Sequence, residues 1–237
     1  MARARAVKQG ATAGTTVNKI PVDKLKSKDK IGVNDLLNLA DMIENKKLRR
    51  KVRQYIKEAA PIHPEFSKNI TDLQETPAAE DWHHAEPGGL VVHTYTTTVL
   101  AIYMAEIYSR VYGEDVDLDT LVASSLVHDL SKVAIYRKAD GGWGYTDVAL
   151  DAVSLSIADL YSRGFPKSVI ECVAAHHGEH GPIQPFDTVS KILHYADMFD
   201  AFLNETASEG LTVIPLETII ESLMMNDVGE DNASEYE

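Results

Sequence analysis

Histidines and aspartates recur together along this sequence. Of the nine histidines in the 237 residues, eight lie between residues 83 and 194. They form five groups, several with an aspartate: His83-His84, His93, His128-Asp129, His176-His177 with His180, and His194 with Asp197. Imidazole and carboxylate groups together are the ligands that first-row divalent metals prefer in proteins. The residue types therefore predict a metal site with donors from separate segments.

The doublet His128-Asp129 lies in an otherwise apolar stretch, Ser124–Lys132. Burying an adjacent imidazole and carboxylate is costly unless they coordinate an ion or pair with other groups. Asp197 also follows an apolar run, and His194, three residues earlier, shares its helix face. We therefore expect these side chains at a buried functional centre.

Helices are the elements that must position these residues, because apolar residues recur mostly at helical spacing and no run alternates as a strand does. Residues 1–30 are predicted as a flexible basic tail and residues 31–237 as a single domain. Pro and Gly residues break residues 61–89 into a loop, and Gly141-Gly142 predicts a turn, with Trp143–Tyr145 as a hairpin or lid. Helices are predicted from Asn34 to Ile43, Leu48 to before Pro61, Leu90 to Tyr112, Asp117 or Asp119 to near Tyr136, and over 148–163, 166–177, 186–205 and 214–225.

Four ordered motifs resemble the HD-domain superfamily of metal-dependent phosphohydrolases, over roughly residues 82–204. The motifs are Gly88–Thr94, Leu126–Lys132, Ala175–Gly178, and Leu193–Asp197 followed by Asp200-Ala201. The resemblance implies an all-α, HD-domain helical globule. The sequence departs from the pattern at Ser131, where glycine is usual, and has no histidine between 130 and 175. The second departure favours one metal over the binuclear variants of the family.

The resemblance implies that His93, His128, Asp129 and Asp197 hold one divalent ion. Fe²⁺ or Mn²⁺ are favoured, and Zn²⁺, Ni²⁺ or Co²⁺ are alternatives. Two imidazoles and two carboxylates leave coordination positions for water and substrate. A divalent ion lowers the pKa of its water and neutralises charge on a phosphoryl oxygen, so hydrolysis of a phosphate ester is predicted.

Catalytic roles are predicted for Asp129, Lys132, His176 and His177. Lys132 follows the doublet by one helical turn and is predicted to contact a nonbridging phosphate oxygen; the alternative is a solvated cation at a helix end. One of the two histidines is predicted to protonate the leaving oxygen or hold the phosphate. Their alternative is a helix C-terminal cap beside Gly178.

Substrate contacts are predicted for His83, His84, Lys132 and Asp200. The segment Trp82-His83-His84 would form a substrate wall, with an aromatic face for a base or pterin ring and imidazoles for phosphate. The alternative is a loop that packs its tryptophan on the core. Trp143 and Tyr145, which follow or flank glycines, are candidates for a mobile flap over the pocket.

Two subfamilies share the Trp-His-His and Gly-Gly-Leu arrangement: archaeal phosphodiesterases that open 7,8-dihydroneopterin 2′,3′-cyclic phosphate in pterin biosynthesis, and bacterial 3′–5′ exoribonucleases. The segment His176–Ile183 is more similar to the archaeal type, so a small cyclic phosphodiester is the expected substrate. An exoribonuclease or other nucleotide phosphohydrolase is the alternative. A non-catalytic nucleotide-binding regulatory domain is an alternative of another class, which the intact ligand set disfavours.

Charge is divided unevenly along the chain. Residues 1–30 contain eight Lys or Arg and two Asp, hence +6, and because the whole chain carries −13, the remainder carries −19. Such an acidic body disfavours nucleic acid and favours a small phosphorylated pterin or nucleotide-like partner. No apolar run approaching the roughly 20 residues of a membrane span is apparent, and no membrane partner is expected. The lone Cys172 and the lack of an apolar signal core favour a cytoplasmic location, and the amphipathic helices permit a homo-oligomer.

Overall fold

Seven α-helices and one β-hairpin are the α and β elements of residues 21–204, the part of the chain that the computed structural model describes. The predicted helix at 214–225 lies outside the described residues. The all-α prediction is confirmed. The helices are α1 (Val33–Ala40), α2 (Lys46–Glu58), α3 (Gly89–Tyr112), α4 (Leu118–Val127), α5 (Ala152–Ser162), α6 (Lys167–Ala175) and α7 (Thr188–Leu203), and the strands are β1 (Tyr136–Ala139) and β2 (Gly142–Tyr145).

The first helix begins at a different cap from the one predicted. Asn34 lies inside α1, and Gly32 is the N-cap, whose backbone N–H donates to the Asp35 carboxylate at 2.9 Å. A carboxylate in the first turn satisfies a backbone donor that the helix itself leaves free. In α2 the Asn45 side chain does the same for the N–H groups of Lys47 and Leu48.

The longest helix, α3, packs against both α4 and α7. Its start requires glycine, because a Cβ at Gly88 (φ 79°) would lie 2.9 Å from the Gln74 carbonyl oxygen and one at Gly89 would collide with the His84 carbonyl oxygen. Contrary to the sequence-based expectation, α3 is long and apolar enough to cross a membrane, although 67% of its most apolar window is buried within the protein. A central core helix has the same composition.

The fourth helix ends earlier than predicted. It stops at Val127, and a 3₁₀ segment, Leu130–Ala134, replaces the expected continuation toward Tyr136. The Ser156 hydroxyl of α5 donates to the His128 carbonyl at 2.9 Å and contacts the Ser131 hydroxyl at 2.7 Å. These contacts satisfy a carbonyl at the helix end, and they use the serine that stands where the family has glycine.

The predicted hairpin is confirmed, with β1 and β2 antiparallel and Tyr136 paired with Tyr145. The Gly141 backbone in the turn has a φ of +89°, a conformation that glycine adopts without strain. Helical spacing also predicts Ile107 on the core-facing side of α3, but it is 61% exposed near the end of that helix. Cys172 is buried, as a structural thiol should be.

Candidate metal centre

Four predicted ligands converge from α3, the end of α4 and α7. His93 Nε2 lies 3.0 Å from Asp197 Oδ1 and 3.3 Å from His128 Nε2. Asp129 Oδ2 lies 3.6 Å from the His93 nitrogen and 3.4 Å from the His128 nitrogen. His128 Nε2 and Asp197 Oδ1 are 3.4 Å apart, and all four residues are at most 8% exposed. Four donor atoms therefore surround one buried point.

This arrangement fits a first-row divalent ion. Nitrogen and oxygen ligands bind such ions at roughly 2.0–2.2 Å, so ligands of one ion lie about 3 to 3.5 Å from one another. The observed separations of 3.0 to 3.6 Å agree. Two buried imidazole nitrogens facing each other beside two carboxylates are also explained by a shared cation.

The electrostatics of the centre point the same way. Burial opposes charge on both carboxylates. For Asp129 the charges of Lys132 and His128 outweigh burial, and for Asp197 the contacts with His128 and His93 do, so both carboxyl pKa values lie well below the usual range. Burial likewise opposes charge on His93, but Asp197 and Asp200 overcome it and raise its pKa to about 9. The centre is therefore a site of fixed negative charge that attracts a cation.

Hydrogen bonds behind the two imidazoles fix their orientation. His93 Nδ1 donates to Asp200 Oδ2 at 2.7 Å, and His128 Nδ1 donates to the Ser125 carbonyl at 2.8 Å. With the proton on Nδ1, each Nε2 lone pair faces the shared point. Asp200, predicted to contact substrate, is 1% exposed and also accepts from His84 Nε2 at 2.9 Å, so it lies behind His93.

Lys132 and His176 both approach Asp129. Lys132 Nζ lies 2.6 Å from Asp129 Oδ2 and the residue is only 7% exposed, which does not fit the alternative of a solvated cation. His176 Nε2 lies 3.7 Å from Asp129 Oδ1, and neither atom has a hydrogen-bond partner. Its Nδ1 donates to the Val173 carbonyl at 2.6 Å. Lys132 and His176 are thus positioned beside the same carboxylate.

The other predicted histidines surround this centre. The His177 ring lies 4.1 Å from that of His176, and burial, followed by the His176 charge, lowers its pKa to about 4. The His83 ring lies 4.9 Å from that of His93. Burial, then the charges of His93 and Lys132, lowers its pKa to about 3. Its Nδ1 has no hydrogen-bond partner, so it is a neutral polar group beside the centre.

The predicted substrate wall lies at the outer side of these histidines. Trp82 is 48% exposed, and its ring contacts the edge of His83 at 4.7 Å. Tyr145 is exposed, and Trp143 packs against the small apolar cluster beneath the hairpin. The loop and the hairpin therefore form the outer surface near the site.

His194 was predicted to share the helix face of Asp197, but it is not among the predicted ligands or catalytic residues. Its Nδ1 donates to the His176 carbonyl at 2.7 Å, and its ring fills the space beside Gly178, where a Cβ would lie 2.6 Å from a ring carbon. The sequence signal for this turn was Gly178, directly after the histidine pair. In the structure its φ is +56°, a backbone conformation in which another residue would be strained. His194 thus holds the turn that carries His176.

Comparisons with known proteins agree with this geometry. The family model "HD domain" matches residues 90–201, which include all four convergent ligands. The dihydroneopterin 2′,3′-cyclic phosphate phosphodiesterase of Methanocaldococcus jannaschii is 40% identical over 174 residues, which cover 73% of this chain and 70% of the relative. No solved structure matches. The chain therefore belongs to the HD-domain family of metal-dependent phosphohydrolases.

Proposed function

We propose that this protein hydrolyses 7,8-dihydroneopterin 2′,3′-cyclic phosphate to a phosphomonoester. The observation that carries the proposal is the convergence of two imidazoles and two carboxylates on one buried point, with Lys132 and His176 beside it. The similarity to the archaeal phosphodiesterase supports this substrate. A strained five-membered cyclic phosphodiester needs an activated water, charge stabilisation and one proton donor, and this set of residues supplies groups for each need.

His93, His128, Asp129 and Asp197 would hold one divalent ion, with Fe²⁺ or Mn²⁺ favoured and Zn²⁺, Ni²⁺ or Co²⁺ as alternatives. When bound, such an ion makes water more acidic and stabilises negative charge on phosphate oxygens. Asp200 and the Ser125 carbonyl keep the two imidazoles in the tautomer that ligation needs. One ion per chain is proposed because the four donors share one focus.

The residues next to Asp129 would act on the phosphate. Lys132 is a buried cation whose Nζ lies 2.6 Å from the Asp129 carboxylate. Because an ammonium group has three N–H donors, Lys132 can also contact a nonbridging oxygen of a phosphate bound beside Asp129. Burial opposes protonation of His176, but the adjacent Asp129 carboxylate, together with the charge of Asp197, outweighs it and raises the imidazole pKa. His176 would therefore donate a proton to the departing sugar-like oxygen as water attacks phosphorus and one ring P–O bond breaks. His83 would donate a hydrogen bond to the phosphate, and His177 would support His176.

A substrate panel tests the proposal. Metal-loaded protein should hydrolyse the cyclic pterin phosphate at least tenfold faster, in kcat/KM, than a 2′,3′-cyclic nucleotide, and should leave a short RNA intact. Product analysis should show a single phosphomonoester for each molecule of substrate consumed. Preferential degradation of RNA from its 3′ end would instead establish the exoribonuclease alternative.

A further inference from the structure

An open pocket of about 470 Å³ lies between the loop 80–87 and the tip of the hairpin. The loop contributes Glu80, Ala85 and Pro87 to the pocket. The hairpin contributes Lys138, Ala139, Gly141, Gly142 and Trp143. The loop also carries His83 and His84, which lie beside the metal centre, and the hairpin follows Asp129 and Lys132 in the chain. Both walls of the pocket are therefore continuous with the site.

The loop that lines this pocket also contacts the metal centre. The Trp82 ring lies 4.7 Å from that of His83, and the His83 ring lies 4.9 Å from that of His93. On the hairpin, Tyr136 pairs with Tyr145, and their ring centroids are 5.5 Å apart. Burial, followed by the nearby Glu80 carboxylate, raises the pKa of Tyr145. The pocket is therefore continuous with the metal centre through the loop that carries Trp82 and His83.

We propose that this pocket binds the heterocycle of the substrate, and that Glu80 recognises the 2-amino-4-oxo edge of that ring. The inference rests on the proposed function and assigns the part of the site that selects the substrate. It concerns ring recognition alone, and the groups that act on the phosphate stay at the metal centre.

The chemistry of Glu80 suits this edge. A 2-amino-4-oxo ring presents a ring N–H and an amino N–H side by side, which match the two oxygens of a carboxylate as an arginine fork does. Glu80 is half-buried, and an ionised carboxylate has about four acceptor positions, so it can accept from both donors. It is the only acidic residue among those that line the pocket, and the lining cation Lys138 is paired with Glu75 at 2.9 Å.

The hairpin tip provides room and an aromatic surface for the ring. A Cβ at Gly141 or Gly142 would meet no atom within 4 Å, so no side chain fills the space there. Trp143 is half-buried and packed on the cluster that includes Ile135, Tyr136 and Leu155, which holds its indole in place. A flat heterocycle can stack on such a fixed indole.

Guanine shares the 2-amino-4-oxo edge and adenine lacks it, which gives a test without the pterin. The wild-type metal-loaded protein should prefer 2′,3′-cyclic GMP to 2′,3′-cyclic AMP by about 10- to 100-fold in kcat/KM, the range expected for charged hydrogen bonds. Glu80→Gln should reduce this preference to less than about threefold, because it raises KM for the guanine substrate more than KM for the adenine substrate.

Two matched variants control for indirect effects. Glu75→Gln changes an exposed carboxylate nearby that does not line the pocket, and it should keep the guanine preference. Tyr145→Phe removes a hydroxyl whose pKa Glu80 helps to raise but keeps the carboxylate, so it should keep at least half of the preference. If Glu80→Gln retains the full guanine preference, or if wild-type protein has none, the proposal is wrong.

A binding measurement separates this inference from the proposed function. Neopterin has the ring but no phosphate, and calorimetry with metal-free protein should give a Kd that rises about tenfold or more in Glu80→Gln. Neopterin binding that depends on Glu80, in a protein that hydrolyses no cyclic phosphate, would support the pocket and overturn the function. Hydrolysis of the pterin substrate with no effect of Glu80→Gln on either assay would overturn the pocket alone.

Discussion

The metal centre and the heterocycle pocket are built from different kinds of structure. The candidate ligands of the centre come from the helices α3 and α7 and the end of α4, and hydrogen bonds to Asp200 and the Ser125 carbonyl hold the two imidazoles in place. The pocket is formed by a loop and a two-stranded hairpin whose tip is exposed. Catalytic groups need a fixed geometry, which helices provide, whereas the residues that select a substrate often lie on loops whose sequences vary among related proteins. Variants in the two regions should therefore affect different quantities.

The largest effect is expected for Asp129→Asn. This change removes a metal ligand and the partner of Lys132 and His176, so turnover of every phosphate ester, including bis(p-nitrophenyl) phosphate, should fall by roughly 10³-fold or more. Metal content should fall with it. Asp147→Asn, at an exposed position, is the matched control and should be fully active. Asp129→Asn protein with wild-type turnover would remove this residue from the centre.

A smaller effect is expected behind the centre, for Asp200→Asn. In this variant a neutral asparagine amide replaces the charged carboxylate that accepts the hydrogen bond from His93 Nδ1. The affinity of the centre for metal should therefore fall about 10- to 100-fold. A competition titration against a chelator of known affinity measures this. Asp187→Asn, at the N-cap of the same helix, should change stability slightly and leave metal affinity intact. Equal affinities for wild type and Asp200→Asn would mean that this contact does not orient the ligand.

Alanine substitutions at two glycines with positive φ angles, one in each region, compare the two regions by their effects on the free energy of unfolding and on kcat. Gly178→Ala should cost about 1–3 kcal/mol in the free energy of unfolding, since it adds backbone strain and forces the His194 ring to move. Because His194 holds the His176 carbonyl, kcat should fall as well. Gly141→Ala, where a Cβ meets open space, should cost only about 1–2 kcal/mol of backbone strain and leave kcat unchanged. Urea denaturation and steady-state kinetics test the pair, and equal kcat values would contradict a positioning role for His194.

The smallest effect is expected for Ser131→Ala. Its hydroxyl donates to the Ala152 carbonyl at 2.8 Å and contacts Ser156, so its loss should cost about 1 kcal/mol in stability. Metal affinity should stay within about twofold, because Asp129 keeps its own contacts. A cost below measurement error would show that the serine does not stabilise this turn.

The sequence predicted the centre better than its surroundings. The sequence identified His128, Asp129 and Asp197 because they lie in apolar helices. Burying polar side chains costs free energy unless they bind an ion or pair with one another. The early end of α4 was missed, since the hydroxyl that satisfies its last carbonyl comes from Ser156, 28 residues further along the chain. The pocket that Glu80 shares with the hairpin could likewise not be predicted, because it depends on how a loop and a hairpin meet in space. Periodicity identifies faces of helices but not partners that are distant in sequence.

The most direct test of the central claim is a titration of metal-free protein with Fe²⁺ or Mn²⁺ under anaerobic conditions, with turnover measured against bound metal per chain. Convergence of four ligands on one point predicts that hydrolysis is absent without metal and rises in proportion to binding until about one ion per chain is bound. Metal-free protein that turns over substrate at the full rate would contradict the account.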